Sequence, residues 1–533
     1  MGLSVFDISV FVIFIGFVVG FSMYKSRREN TGEDFFLASR SLTWPLIGFS
    51  LIAANISTEQ FVGMNGAAAG NVGMAIASYD WIAAISLVLV AIFFLPLLLR
   101  GGIYTIPEYL EYRYNSTARG IMSFYMMLIY VTVTITAVLY SGGLTLRTIF
   151  DMDLRTGIWL IGIIAALYTT WGGLKAVAWA DLFQCSALLI GGLCVVVVGF
   201  IAVGGVGAFF TENSDKLHMA LPKEHSSLPW TALMMGIWIP NLYYWGFNQY
   251  IVQRTLAAKN LKHGQFGILL AAGMQVVLPL IIVFPGIMAV QLYQDQLAQT
   301  SDAAFPLLIR NLIPTGLRGF IFAAIAGAVI SSLGSMLNSA STIFTIDIYK
   351  RHFKKDASPH SMVTVGRLAT MVFVVIGCLI APVIDNPKFQ GVFNFIQDFQ
   401  GYVTPGILAC FLFGFIIKRT PAAAAITGLL INVPVYGVMH ITPDFLERVG
   451  LAGKIGLLDK LALVFGQMAF LNKMAVTFVT ISIAMLVITA IKPLKEPKQM
   501  PVNSDIDMKP APSVIWLGCT IVLATIVLYI IFW

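Results

Sequence analysis

The chain has 533 residues, of which 58% are hydrophobic and only 11% charged, with a formal net charge of +7 and a mean hydropathy of +0.84. That balance excludes an ordinary soluble domain and places the chain among proteins that cross a membrane many times. The positive charge does not point to nucleic acid, because the cations sit in alternate short loops between apolar runs.

Fourteen apolar segments of about 20 residues, the length that crosses a hydrocarbon core, are predicted. They fall at 5-24, 43-68, 74-99, 120-146, 157-172, 182-206, 228-252, 265-292, 318-347, 361-383, 391-417, 421-441, 474-491 and 512-532, with ends that slide by several residues. The first has no small-residue cleavage site behind it, so it reads as a retained span and not as a signal peptide. Alternate loops carry 21 of the 33 Lys and Arg residues, among them Lys25 to Arg40, Arg100 to Arg119, Arg254 to Lys262, Lys350 to Lys355 and Lys492 to Lys509. The positive-inside rule makes that side cytoplasmic and puts both termini outside.

Two segments are interrupted. The second contains Ala53-Ala54-Asn55-Ile56-Ser57-Thr58-Glu59-Gln60, and the seventh contains Pro240-Asn241-Leu242-Tyr243-Tyr244-Trp245-Gly246. Either alone reads as a kinked span. Each, however, opens a block of five, and five is odd, so the second block enters the membrane from the opposite side. Broken helices at matching positions of two inverted halves mark a solute site near the midplane, where unwound backbone supplies carbonyls and amides.

Between these blocks, the external loops near 207-227, 293-317 and 442-473 look like connectors or partial lids, and the Pro- and Lys-rich stretch 492-512 reads as a flexible cytoplasmic linker before an isolated last span. Cys185, Cys194, Cys378, Cys410 and Cys519 all fall in predicted spans without metal-ligand spacing and read as core fillers. The six histidines are scattered.

Along the ninth segment, Ser331, Ser332, Ser335, Asn338 and Ser339 crowd one span. They permit two readings. Small residues let helices approach and hydroxyls bond back to their own helix; alternatively, hydroxyls with carbonyls of a nearby unwound helix make an all-oxygen cage for a hard cation such as Na+. Further polar side chains, Glu59, Gln60, Asp80 and Gln397, lie beside aromatic residues, a combination that suits a neutral polyol as well as plain interhelical bonding. No Walker A, G-x-S-x-G, H-E-x-x-H or dinucleotide motif is present, so the chain does not read as an enzyme, and uphill transport has to be ion-driven.

Four runs carry a specific resemblance: Ser50 to Phe61, Asn241 to Lys259, Ser331 to Ser339, and Tyr168-Thr169-Thr170-Trp171-Gly172-Gly173-Leu174. With them the chain resembles a bacterial member of the solute:sodium symporter family, over nearly its whole length. The resemblance implies an all-α polytopic protein with a LeuT-type five-plus-five inverted-repeat core, whose first and sixth core helices are discontinuous, working by alternating access in a bacterial inner membrane. Its expected divisions are a leading helix and loop (1-42), a first repeat (43-207), a second repeat (208-420) and additional helices (421-533). It implies a sodium site from the carbonyls of Ala53, Ile56 and Ala328 with the hydroxyls of Ser331 and Ser332. It further implies sugar contacts from Gln60, Glu59, Asp80, Asn241, Gln275, Gln397 and Trp245, a gate of Tyr244, Asn55 and Met64, and Asp181 as an acid at the cytoplasmic mouth that helps sodium leave.

Three positions depart from the galactose-type pattern of that family: Asp80 replaces glutamate, Ala83 replaces serine and Gln275 replaces lysine. The acid is shorter, one hydroxyl is lost and one cation becomes neutral, so the identity of the sugar stays open. The expected activity is sodium-driven import of a neutral monosaccharide or polyol. Its rivals are the same fold with a non-sugar solute, and a sugar-binding sensor or uniporter.

Overall fold

The computed structural model describes residues 4–26, 37–56, 59–171, 174–297, 301–386, 389, 391–448, 456–498, 500–502, 506–509 and 511–533. Among these the chain is helical, and its only extended pairings are isolated bridges such as Leu42 with Ala258. Local signals start several helices. Asn115 accepts a bond from the Ala118 amide at 3.0 Å and caps the helix from Ser116, while Ser358 does the same for the Ser361 amide at 3.2 Å. Proline stands in the first turns of the helices that begin at Trp44, Ile106 and Thr404, where its missing N–H costs nothing.

In chain order the elements are α1 (Val5–Ser26), α2 (Trp44–Asn55), α3 (Asn65–Ala69), α4 (Gly73–Arg100), α5 (Ile106–Arg113), α6 (Ser116–Thr148), α7 (Leu154–Trp171), α8 (Leu174–Ala202), α9 (Trp238–Phe247), α10 (Gln249–Leu256), α11 (Leu261–Leu297), α12 (Ala304–Leu312), α13 (Leu317–Phe353), α14 (Pro359–Ile380), α15 (Val392–Gln400), α16 (Thr404–Ile416), α17 (Ala422–Arg448), α18 (Phe470–Ile491) and α19 (Ser513–Ile531).

Both expected breaks are present. Chain direction changes at Ile56 (φ −76°, ψ 85°), after which a π-helical turn over Glu59–Met64 leads into α3. The second break falls at Asn248 (φ −82°, ψ 121°), between α9 and α10. A third was not expected: the predicted segment 391-417 is two helices, α15 and α16, bent by 49°. The expected count of fourteen spans is not met by length and hydropathy, since among the described residues ten helices qualify, or eleven if the bent pair is one span. Interrupted helices such as α2 and α9 are too short for that criterion although they sit in the middle of the bundle.

Burial orders the layers. In the most apolar stretch of α13, 83% of residues are buried, against 17% in α1 and in α19, so α13 runs through the centre while α1 and α19 face lipid. Close approach around the first break depends on Gly286 of α11, where a Cβ would stand 2.3 Å from the Asn65 carbonyl oxygen, and Asn65 Nδ2 donates to the Ile282 carbonyl at 2.7 Å.

Loops expected on the cytoplasmic side pack against one another. Arg40 donates to the carbonyls of Leu256 (3.0 Å) and Gly102 (2.9 Å), and Arg113 to those of Gly414 (3.0 Å) and Thr420 (3.1 Å). Glu111 accepts from Arg119 at 2.7 Å and from Arg351 at 2.6 Å. The stretch 492-512, expected to be a flexible linker, is tied at several points. Lys498 Nζ donates to the Tyr114 carbonyl at 2.5 Å, the Leu494 amide to Arg419 at 2.9 Å, and the Leu261 amide to Asp507 at 3.1 Å. The reason is that carbonyls at helix ends, such as that of Tyr114, are left without intrahelical partners and accept the lysine. Nor is the last span isolated: Tyr529 of α19 packs on Trp81 of α4, ring centroids 5.4 Å apart.

Candidate solute and cation site

The first two breaks bring side chains from four elements to one cleft. Asn55, Gln60 and Met64 come from the first broken helix, Tyr79, Asp80 and Ala83 from α4, Pro240, Asn241, Tyr244 and Trp245 from α9, and Phe393, Gln397 and Gln400 from α15. Counted to its open mouth, the cleft holds about 430 Å³, within the roughly 300–1,000 Å³ of small-molecule sites. Its polar equipment is one carboxylate and a set of carboxamides, with no Lys, Arg or His among the lining residues. Asn55 Nδ2, Gln397 Oε1 and Tyr79 Oη are buried without a partner among the described residues. A buried amide or hydroxyl left so costs about 1–3 kcal/mol unless a ligand or water completes it.

Aromatic rings shape the ends of the cleft. Tyr244 meets Trp245 edge-on at 5.1 Å, and its hydroxyl accepts a bond from Tyr250 at 2.7 Å. Across the cleft, Tyr79 meets Phe393 at 4.8 Å. Trp81 points the other way, donating Nε1 to the Val276 carbonyl at 3.1 Å.

Of the side chains expected at the solute, Gln60, Asp80, Asn241, Gln397 and Trp245 line this cleft together with the expected gate residues Tyr244, Asn55 and Met64. Gln275 does not. It lies on α11 outside the lining, fully buried, and neither Nε2 nor Oε1 has a partner among the described residues. The side chain of Glu59 lies outside the described residues, as do Gly172 and Gly173. Tyr79, Pro240, Phe393 and Gln400 were missed. Spacing would have found two of them, because Phe393 and Gln400 stand four before and three after Gln397, on the same helical face.

Below the cleft a second cluster forms where α2, α8, α10 and α13 meet. Ala53, Ile56, Ala328, Ser331 and Ser332 are all buried there. Ser332 Oγ lies 3.3 Å from the Ala53 carbonyl oxygen. Ile56 ends α2, so carbonyls near it are not consumed by the helix. Ser331 donates to Asp181 Oδ1, which leaves the lone pairs of its hydroxyl available. Asp181, expected at the cytoplasmic mouth, is 0% exposed in this conformation. It accepts from Ser50 and Ser331 and faces Arg254 at 3.5 Å. Arg254 completes that burial. Its guanidinium also donates to Ser50 Oγ at 2.6 Å, to Ser335 Oγ and to the Tyr250 carbonyl.

A discontinuous-helix core around a midplane cleft defines a secondary transporter of the LeuT fold. The profile of the Sodium:solute symporter family matches residues 35–432, and the chain belongs to that family. It is 42% identical to a sodium/glucose cotransporter of Vibrio parahaemolyticus over 81% of this chain and 84% of that one. It is 33% identical to sodium/myo-inositol cotransporter 2 of Mus musculus, over 82% of this chain and 70% of the relative. Among solved structures, a Na+-coupled sialic acid symporter in a substrate-bound outward-open state superposes with a TM-score of 0.75 over 93% of this chain and 99% of that chain, at 22% identity. The protein is therefore a multi-pass sodium:solute symporter and not an enzyme.

Proposed function

We propose that this symporter uses a sodium gradient to import a neutral monosaccharide or related polyol by alternating access, across a bacterial inner membrane. The observation that carries this reading is the lining of the cleft, in which one carboxylate and several carboxamides face aromatic rings with no cationic side chain. Hydroxyls donate to Asp80 and to amide oxygens and accept from amide N–H groups, while a ring face covers the C–H side of a sugar. An organic anion would meet Asp80 without a cation to balance it. Relatives that carry glucose and myo-inositol support the same class.

In this reading the halves of the core are 43-207 and 208-420, and 421-533 are additions. Sodium sits among the carbonyls of Ala53, Ile56 and Ala328 and the hydroxyls of Ser331 and Ser332. The 3.3 Å between Ser332 Oγ and the Ala53 oxygen fits adjacent ligands of a hard cation held at roughly 2.3–2.6 Å. Gln60, Asp80, Asn241 and Gln397 hold the sugar, and Tyr244 closes beneath it. Sodium binding raises sugar affinity, and by linkage sugar raises sodium affinity equally.

The test is uptake of radiolabelled hexoses and inositols into proteoliposomes, with and without an inward sodium gradient, alongside Gln60→Ala. Sodium-dependent accumulation of one sugar, lost in the variant, supports the reading. Uptake that is the same with choline in place of sodium overturns it, and sodium-dependent protection from heat without uptake of any sugar redirects the search to other solutes.

A further inference from the structure

Helix α17 lies outside the ten-helix core, yet it presents three polar side chains to the break in that core between α15 and α16. Asn432, Tyr436 and His440 are four residues apart, so they form a stripe along one face. Asn432 is fully buried, and its carboxamide bridges the break. Oδ1 accepts from the Gly406 amide at 2.6 Å, and Nδ2 donates to the carbonyls of Gly401 (3.1 Å) and Tyr402. These are backbone groups that a continuous helix would satisfy internally, and at a 49° bend they need outside partners. One turn along α17, the Tyr436 hydroxyl donates to Asp398 Oδ1, and a further turn on, His440 Nδ1 lies 3.2 Å from Asp398 Oδ2.

Steric observations agree independently. A Cβ on Gly401 would stand 2.2 Å from Cζ of Tyr436, and one on Gly406 would stand 2.8 Å from the Gly428 carbonyl oxygen. Neither glycine has a positive φ, so each is small for the sake of α17's approach and not for backbone freedom. The segment thus gripped at one end is α15, which carries Phe393, Gln397 and Gln400 into the solute cleft. Its other end is held from the external loop, where Asp302 Oδ2 accepts the Val392 amide at 3.2 Å.

We propose that α17 is the hinge plate of the third broken helix: Asn432 and Tyr436 are positioning residues that set where α15 places Gln397 and Phe393, and so control solute affinity. The accessory helix is then part of the recognition machinery, acting through α15 without touching solute. Sodium ligation is left to other elements, because the cage residues lie on α2 and α13 and at the first break. This inference rests on the proposed sugar symport for its transport readout.

Its test uses the full-length protein in proteoliposomes and nanodiscs, with Asn432→Leu and the isosteric Tyr436→Phe. Asn432→Leu removes three backbone bonds, so amide exchange of the stretch 399-410 rises about tenfold and the solute KM rises about tenfold, the effect of losing one to two net hydrogen bonds. Sodium half-saturation at saturating solute stays within about twofold of wild type. Tyr436→Phe keeps the packing against Gly401 and loses only the bond to Asp398, so KM rises severalfold while exchange at Gly406 is unchanged. A merely structural role would lower melting temperature without splitting KM from sodium dependence. Exchange and KM within twofold of wild type in Asn432→Leu overturn the proposal. Should the wild type move no sugar with sodium, the functional reading fails, and exchange alone then decides: an unchanged rate over 399-410 overturns the hinge, a faster one upholds it.

Discussion

Arg254 and Asp181 face each other across 3.5 Å with side chains 1% and 0% exposed, the guanidinium resting also on Ser50 and Ser335. A buried pair of this kind gains little over apolar residues, but removing one partner strands the other charge in a dry site. Arg254→Met is expected to lower stability by roughly 3–5 kcal/mol and to abolish uptake. The double variant with Asp181→Asn recovers most of the stability and none of the coupling, which thermal melting and sodium-driven uptake read separately. A double variant no more stable than Arg254→Met would show that the pair is not the element at fault.

Ser332→Ala deletes one oxygen of the proposed cation cage while keeping the volume of α13 nearly unchanged. Among the described residues the hydroxyl makes a single long bond, of 3.3 Å to the Ala53 carbonyl, so stability in sodium-free buffer should hold within about 0.5 kcal/mol. The sodium concentration for half-maximal uptake should rise about tenfold, the worth of one ligand contact. A sodium activation curve that does not move would remove Ser332 from the cage.

Among the loops that carry the excess of Lys and Arg, hydrogen bonds from Arg351 and then Arg119 lower the Glu111 carboxyl from its ordinary 4.5 to about 2. A depressed acid contributes stability that is present above about 4.5 and drains away as pH falls through about 2. Because the group is partly exposed, screening limits the effect to roughly 1 kcal/mol. Melting curves should show Glu111→Gln less stable than wild type at pH 7 and equal to it near pH 2.

Asp302, in the loop between α11 and α12, shows the opposite sign. Burial raises its carboxyl from 3.8 to about 7, against a smaller lowering by the Val392 amide. Its neutral form suits the fold, so its contribution is full below about 3.8 and is lost as pH rises to about 7. Asp302→Asn keeps an acceptor for Val392 and cannot titrate. Relative to wild type it should therefore gain melting temperature between pH 5 and pH 8, and parallel pH profiles would refute the assignment.

Much of the architecture was legible along the chain. Polar residues at Asn55 to Gln60 and breakers at Pro240 and Gly246 cannot sit in lipid-facing helix without cost, so the two inverted breaks were visible. The bend at Gly401 was not. Gly401 and Pro405 are breakers of the same kind as Gly246 and Pro240, but breakers alone read as a kinked span, and the side chain that holds the bend, Asn432, belongs to a later helix. Asp80, Gln60 and Gln397 stood out because each is an expensive residue in a span, and Asn241 was placed by the family resemblance. Phe393 was passed over because an aromatic in a membrane helix is ordinary. Gln275 was placed at the solute by the family resemblance, and it lies outside the cleft lining, buried on α11.

What the sequence by itself determined is the membrane class and the positions of the first two breaks, because hydropathy, polarity at depth and local helix chemistry act over a few neighbouring residues. Tertiary structure alone decided that Asp181 is buried against Arg254, that Leu494, Lys498 and Asp507 are tied down by their neighbours, and that α17 grips α15. Each depends on partners brought together from distant parts of the chain, such as Asp181 with Arg254 and Asn432 with Gly401. Electrostatics and hydrogen bonding fall off within a few ångströms, so such contacts exist only once packing has set the distances.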